Sequence, residues 1–185
     1  MSRMDENIAR IRSYTTHGEL LTLWESIRSA DGTVGWDAGL AFEFLVLRAF
    51  EIEGGSVEYP FSVKLFDELE VEQIDGMVEF SNEGFNFLVE SKDQANKISL
   101  APLAKLRNQL SRRPSNLFGC FFSRSGFTEG AIQLGHFFAP QTILLWDGDD
   151  VDFCLRNEYF LQGLKRKFKY AMKEGKPKLT LLGLD

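Results

Sequence analysis

The sequence predicts an α/β protein in which a mixed sheet of about five strands lies between layers of helices, and three observations carry that reading. Apolar positions recur at helical spacing before Gly54, alternate with period two between Val57 and Val89, and then switch repeatedly between the two patterns. The nearly continuous apolar run from Leu117 to Phe122 fits a strand covered on both faces, which a sheet flanked by helices provides. A length of 185 residues, 44% of them hydrophobic and 17 of them phenylalanine, suits one folded unit with a large core.

The elements follow in order. Thr16-His17-Gly18-Glu19 has the form of a capping box, and Leu20, Leu23, Trp24 and Ile27 continue at helical spacing until Asp31-Gly32. A second helix starts near Asp37, with Leu40, Phe44, Leu47 and Phe50 on one face and Gly54-Gly55 as its stop. Three strands come next: one through Val57, Tyr59, Phe61 and Val63, one from Val71 to Phe80, and one from Phe85 to Val89. Asn82-Glu83-Gly84 joins the last two as a hairpin, because Asn and Gly accept positive φ. Leu100, Leu103, Leu106 and Leu110 define a helix ended by Pro114. A strand from Leu117 to Phe122, a helix from Thr128 to Phe137, a strand from Thr142 to Trp146 and an amphipathic helix from Tyr159 to Met172 complete the order α-α-β-β-β-α-β-α-β-α. Residues 1–34 read as an N-terminal helical extension, 35–155 as the core, and 156–185 as a basic helix and tail packed on that core. Met1 to Ser13 and Glu174 to Asp185 are the expected loose ends.

Composition narrows the setting. Cys120 and Cys154 are too few for the disulfide framework of a small secreted domain. The first residues are charged throughout and lack the apolar stretch of a signal peptide, and no segment approaches the ~20 apolar residues of a membrane span. The expected location is the cytoplasm, with no membrane partner. The net charge is −6, but it is uneven: residues 1–154 carry 13 Lys+Arg against 24 Asp+Glu, whereas residues 155–180 carry 8 against 2. Basic charge is thus concentrated in one terminal segment.

The chemistry-bearing residues lie on the second and third strands. Asp75 falls inside a strand pattern, where a carboxylate is costly unless something compensates it; an Asp before Gly also suits a simple turn. Phe87-Leu88-Val89-Glu90-Ser91-Lys92 ends an apolar run with two ionisable groups at i and i+2, which strand periodicity puts on one face. Glu90 and Lys92 alone would make an ordinary salt bridge. If the hairpin pairs the strands, Asp75 lies opposite Glu90 and three charges converge. That set suits phosphodiester hydrolysis assisted by a hard divalent cation, Mg²⁺ with Mn²⁺ as a substitute. Asp75, Glu90 and the Ser91 carbonyl would be its ligands. Lys92 would orient or help deprotonate the attacking water and offset charge on phosphorus. Glu43, on the preceding helix, is either an auxiliary acid that binds metal through water or a solvated helix carboxylate.

These residues resemble the PD-(D/E)xK nucleases, and within them the Mrr-type restriction endonucleases. The resemblance runs from about Gly35 to Val151. It is carried by Leu40-Ala41-Phe42-Glu43, Ile74-Asp75-Gly76, Val89-Glu90-Ser91-Lys92, and the stretch from Phe118 to Ala131. It implies a restriction-endonuclease-like three-layer sandwich with an α-β-β-β-α-β core that cleaves DNA with a divalent metal. Asp75, Glu90, Lys92 and Glu43 take the catalytic roles. Many Mrr-like enzymes carry Gln at the position of Glu90, and Ile74 stands where the motif often has Pro. No separate DNA-reading domain fits within the 185 residues.

Several further features bear on function. The last helix sets Leu161, Leu164, Phe168 and Met172 inward and Lys165, Arg166, Lys167, Lys169 and Lys173 outward, so Lys165, Arg166 and Lys169 are candidate phosphate contacts, or simply a solvated basic face. Arg112, Arg113 and Arg124 are further candidates. His17 and His136 have no second ligand at metal spacing, Ser123 and Ser125 have no nearby activating His, and no phosphate-cradling loop is present, so specificity or ATPase functions would reside in a separate subunit. The reading is therefore a metal-dependent endodeoxyribonuclease of restriction or defence type, acting as a homodimer where both strands are cut. Two alternatives stay open: a nuclease-like module that binds DNA or protein without cutting, and a structure-selective resolvase or repair nuclease on the same fold.

Overall fold

A computed structural model describes residues 2–29, 35–37, 39–65 and 69–183. Its helices are α1 (Arg3–Arg12), α2 (His17–Arg28), α3 (Leu40–Ile52), α4 (Leu100–Ser111), α5 (Glu129–Gly135), α6 (Gly148–Asn157) and α7 (Phe160–Glu174). Its strands are β1 (Ser56–Glu58), β2 (Phe61–Leu65), β3 (Leu69–Ile74), β4 (Gly76–Phe80), β5 (Phe85–Lys92), β6 (Phe118–Ser123) and β7 (Ile143–Asp147). The central sheet has five strands in the order β1-β4-β5-β6-β7, and β2-β3 form a separate hairpin. Pairing is antiparallel from β1 to β5 and parallel from β5 to β7, so the sheet is mixed as expected.

Strand alternation divides the interior in two. Val78, Phe87, Val89, Cys120, Phe122, Leu144 and Trp146 face α2, α3, α6 and α7 in one cluster. Leu88, Phe121, Ile143 and Leu145 face α4 and α5 in the other, joined by Ile74 of β3. Phe50 of α3 is in edge contact with Phe80, Phe87, Phe122, Trp146 and Phe160, so one ring ties the helix to four strands and to α7. Such contacts are geometric as well as apolar and favour one arrangement of the helix on the sheet.

Several expectations need correction. The strand expected through Val57 to Val63 breaks at Tyr59-Pro60, where proline has no N–H for a continuing ladder. The strand expected from Val71 to Phe80 breaks at Asp75, and its first half belongs to the hairpin. The loose N-terminus is instead α1, closed by a capping box between Ser2 and Asp5, with Ile11 fully buried. Residues 148–157, which the apolar pattern leaves unassigned, form α6 behind a capping box from Asp147 and Asp150. The expected stop at Asp31-Gly32 lies outside the described residues.

The C-terminal segment is also tied down. Lys167, expected on the outer face of α7, is fully buried; it donates to Asp150 at 2.8 Å, to the Leu145 carbonyl at 2.9 Å and to the Leu179 carbonyl. Asp150 in turn accepts from the Leu181 N–H at 2.9 Å, and Leu181 is buried against α7. Met172, expected inside, is 67% exposed. Replacing one partner of a buried ion pair strands the other. Lys167→Met should therefore lower unfolding stability by about 3 kcal/mol in urea denaturation, whereas a loss below ~1 kcal/mol would show that the tail is held by apolar packing alone.

Candidate active site

The site forms where β4 meets β5. The register pairs Gly76 with Val89, so Asp75 stands just before β4 opposite Glu90. Gly76 is not there for a turn: a Cβ on it would lie 2.5 Å from Leu47 Cδ2 and 3.1 Å from the Glu58 carbonyl. Glycine lets α3 and β1 close around the strand, and that packing holds Asp75 in place.

Asp75 and Glu90 are 7% and 1% exposed, yet each is charge-bearing, and the surrounding groups show how the cost is met. Asp75 Oδ2 accepts the Ser91 N–H at 2.9 Å. Lys92 Nζ lies 2.8 Å from Glu90 Oε1 and 3.6 Å from Asp75 Oδ2. A second ammonium, that of Lys105 on α4, lies 3.7 Å from the same Glu90 oxygen. Glu90 Oε1 is thus compensated by side-chain ammoniums, while the Ser91 hydroxyl is buried without a hydrogen-bond partner.

Burial, then the Glu90 carboxylate, push the Asp75 carboxyl above its usual range, against the pull of Lys92 and the Ser91 N–H. Burial works against charge on Lys92, but Asp75 and Glu90 outweigh it and raise its pKa. Lys92 is thus held as an ammonium beside the two acids. Its expected role in orienting water and countering charge fits this state. Half-buried Glu43 is pushed up to about 7, first by burial and next by Asp75. Glu43 therefore belongs to the same electrostatic cluster, although among the described residues no three His, Cys, Asp or Glu side chains converge to hold one ion.

Asp75, Glu90, Ser91, Lys92 and Glu43 are brought together; most of the expected phosphate contacts are not. Arg112 and Arg113 both pair with Glu72, the latter at 2.7 Å. With Phe61, Met77 and Leu88 they line a groove of about 800 Å³ that includes none of the three site charges. Lys165 pairs with Glu83 at 2.8 Å, in the turn at the opposite end of β5. Arg166 lies over the Tyr159 ring, and Lys169 is exposed on the same helix. Arg124 is closer: its N–H donates to the Lys92 carbonyl at 3.2 Å, while its side chain pairs with Asp93. His17 is structural, bonded to Glu53 at 2.9 Å.

Lys105 was missed in the sequence reading. It flanks the apolar stripe of Leu103 and Leu106, where a lysine reads as surface, and only the docking of α4 over β5 and β6 brings it to Glu90.

No family model matches the chain, and no curated protein matches it. Among solved structures it is similar to a protein of unknown function, AF1548, at 16% identity and a TM-score of 0.46, over 75% of this chain and 79% of that one. It is also similar to MspJI restriction endonuclease in complex with a 27-mer oligonucleotide, at 16% identity and a TM-score of 0.44, covering 86% of this chain. The restriction endonuclease FokI aligns at 14% identity and a TM-score of 0.49, covering 90% of this chain. The chain spans 35% and 33% of the lengths of those two.

The Glu43 shift gives a pH test. The unfolded chain releases this proton near 4.5 and the folded protein near 7, so stability falls as pH rises across that window and is level above it. In EDTA, Glu43→Gln should equal wild type at pH 4 and exceed it at pH 8 by about 2 kcal/mol, a figure discounted for partial solvation of the carboxyl. Parallel urea denaturation curves at the two pH values decide it; equal differences at both would show that Glu43 is solvated and ordinary.

Proposed function

We propose that this protein is a divalent-metal-dependent endodeoxyribonuclease of the restriction or defence type, with Asp75, Glu90 and Lys92 at its centre. The observation that carries the proposal is the buried pair of carboxylates around one ammonium, with Lys92 Nζ at 2.8 and 3.6 Å from them. A structural salt bridge needs one acid. The second buried acid raises the cost of the site and is explained by a ligand that both acids share.

The donor set suits a hard cation. Mg²⁺ favours one or two carboxylates completed by water and phosphate, which matches Asp75 and Glu90, with the Ser91 carbonyl as a third oxygen. When bound, such an ion would polarise a nonbridging phosphate oxygen and lower the pKa of water. The protein's own residues supply the rest. Asp75, oriented by the Ser91 N–H, presents a fixed carboxylate. Lys92, held cationic, offsets charge developing on the phosphoryl oxygens. Glu43, whose carboxyl is pushed up to about 7, is suited to hold a proton released near the site. DNA as substrate is supported by the resemblance of the segments around Glu43, Asp75 and Glu90-Ser91-Lys92 to PD-(D/E)xK nucleases of Mrr type. Cutting both strands would take two copies, and target choice would draw on a separate specificity subunit.

Supercoiled plasmid should be nicked in Mg²⁺ or Mn²⁺ and not in EDTA, and Asp75→Ala and Lys92→Ala should each slow nicking on the order of a hundredfold or more. Equal nicking by wild type and variants, or none in either metal, would sink the proposal in favour of a binding module. Cleavage confined to branched DNA would replace the restriction reading with a resolvase.

A further inference from the structure

Lys105 has no part in the active-site reading so far, yet it is the second ammonium within 4 Å of Glu90 Oε1. The two lysines are held differently. Lys92 extends from β5, contacts both acids and is 34% exposed in its side chain. Lys105 extends from α4, approaches only Glu90 at 3.7 Å, and is 54% exposed. Its charge also acts on Glu43 and Asp75. The helix itself is fixed, with Leu103, Leu106 and Leu110 buried against the sheet, so the mobile part of Lys105 is its long stem.

Three carboxylates face this cluster, those of Glu43, Asp75 and Glu90, against two ammoniums. Both lysines serve as counter-charge to these acids. A dication shared by Asp75 and Glu90 would satisfy those acids and repel a neighbouring ammonium. Lys92 has two acids and a half-buried setting to keep it in place. Lys105 has one long contact and open solvent beside it.

We infer that Lys105 is an exchangeable counter-ion that neutralises Glu90 before metal binds and then turns outward as a substrate-positioning residue for a phosphate of the nucleic acid. The inference rests on the proposed metal-dependent reading of the site. It has two consequences of opposite sign, which a merely structural lysine would not produce. Removing the charge should tighten metal binding, because a competing cation is lost, and should weaken binding of a polyanion, because a phosphate contact is lost.

The experiment compares wild type with Lys105→Met, which keeps the stem, and Lys105→Arg, which keeps the charge. Mn²⁺ affinity is measured by titration calorimetry without DNA. Affinity for a short duplex is measured by fluorescence anisotropy in Ca²⁺ across a salt series, which reads out binding separately from turnover. For Lys105→Met we expect Mn²⁺ binding about threefold tighter, duplex binding about threefold weaker, and a log-affinity against log-salt slope shallower by roughly 0.9, the value for one phosphate contact. Lys105→Arg should stay close to wild type in both assays. Unchanged metal and duplex affinities in Lys105→Met would overturn the inference while leaving the metal site intact, and so would weaker metal binding, which would mark Lys105 as a support for Glu90. If wild type itself binds no Mn²⁺ in a manner abolished by Asp75→Asn, the metal site and the inference fall together.

Discussion

The register between β4 and β5 is the constraint on which the rest of this structure depends. Pairing Gly76 with Val89 puts Asp75 opposite Glu90 and sends Val78, Phe87 and Val89 to the face covered by α3. A slip of one residue would turn every side chain of one strand to the wrong face, carrying Glu90 into the aromatic cluster around Phe50 and Val89 over to the α4 side. The apolar pattern therefore protects the polar site. Phe87 and Val89 are packed under α3, and by staying put they fix where Glu90 and Lys92 emerge. Gly76 enforces the same register from the side, since Leu47 and the Glu58 carbonyl occupy the space a side chain would need.

Holding two acids so close to one another is unfavourable, and the surroundings decide how far that cost is offset. Asp75 has an N–H bond and an ammonium; Glu90 has two ammoniums. Compensation at Glu90 thus comes from side-chain cations, and such compensation is transferable: another cation can replace it. At the buried Lys167–Asp150 pair, by contrast, the ammonium donates to Asp150 and two carbonyls and the carboxylate accepts the Leu181 N–H, so its charges lock the C-terminal segment onto α6 and β7. Two buried charge clusters in one small protein thus do different jobs. One uses its hydrogen-bonding capacity on its own backbone, and the other is offset by side-chain cations.

Much of this was legible in the sequence because it depends on local periodicity. Glu90 and Lys92 share a face by strand geometry, and the Asn82-Glu83-Gly84 turn, with Gly84 at a φ of 71°, is enough to bring Asp75 alongside. What was not legible depends on distant packing. Lys105 reads as an ordinary surface lysine until α4 docks over the sheet. Asp75 interrupts its strand because the residues before it leave the central sheet for a separate hairpin, which no local pattern announces. The α1 helix was readable in principle, since Met4, Ile8 and Ile11 recur at helical spacing behind Ser2, but its dense charge obscured the apolar stripe.

The basic C-terminal segment shows why a charge count along the chain differs from a charged surface. Of its cations, Lys167 is consumed in the core, Lys178 pairs with Asp147 and Asp150, Lys165 pairs with Glu83, and Arg166 covers Tyr159. Phe168 of α7 packs on Phe85 and Phe118, at the starts of β5 and β6, whereas Glu90 and Lys92 lie toward the far end of β5. Five residue steps of extended strand from Phe85 to Glu90 separate the two regions by about 17 Å. A phosphate held at the carboxylates through a shared cation would thus lie beyond direct reach of Lys165 on that helix. The side-chain positive charge nearest to Glu90 is that of Lys92 and Lys105, supplied by the strand and helix that build the site rather than by the segment where the sequence concentrates its lysines.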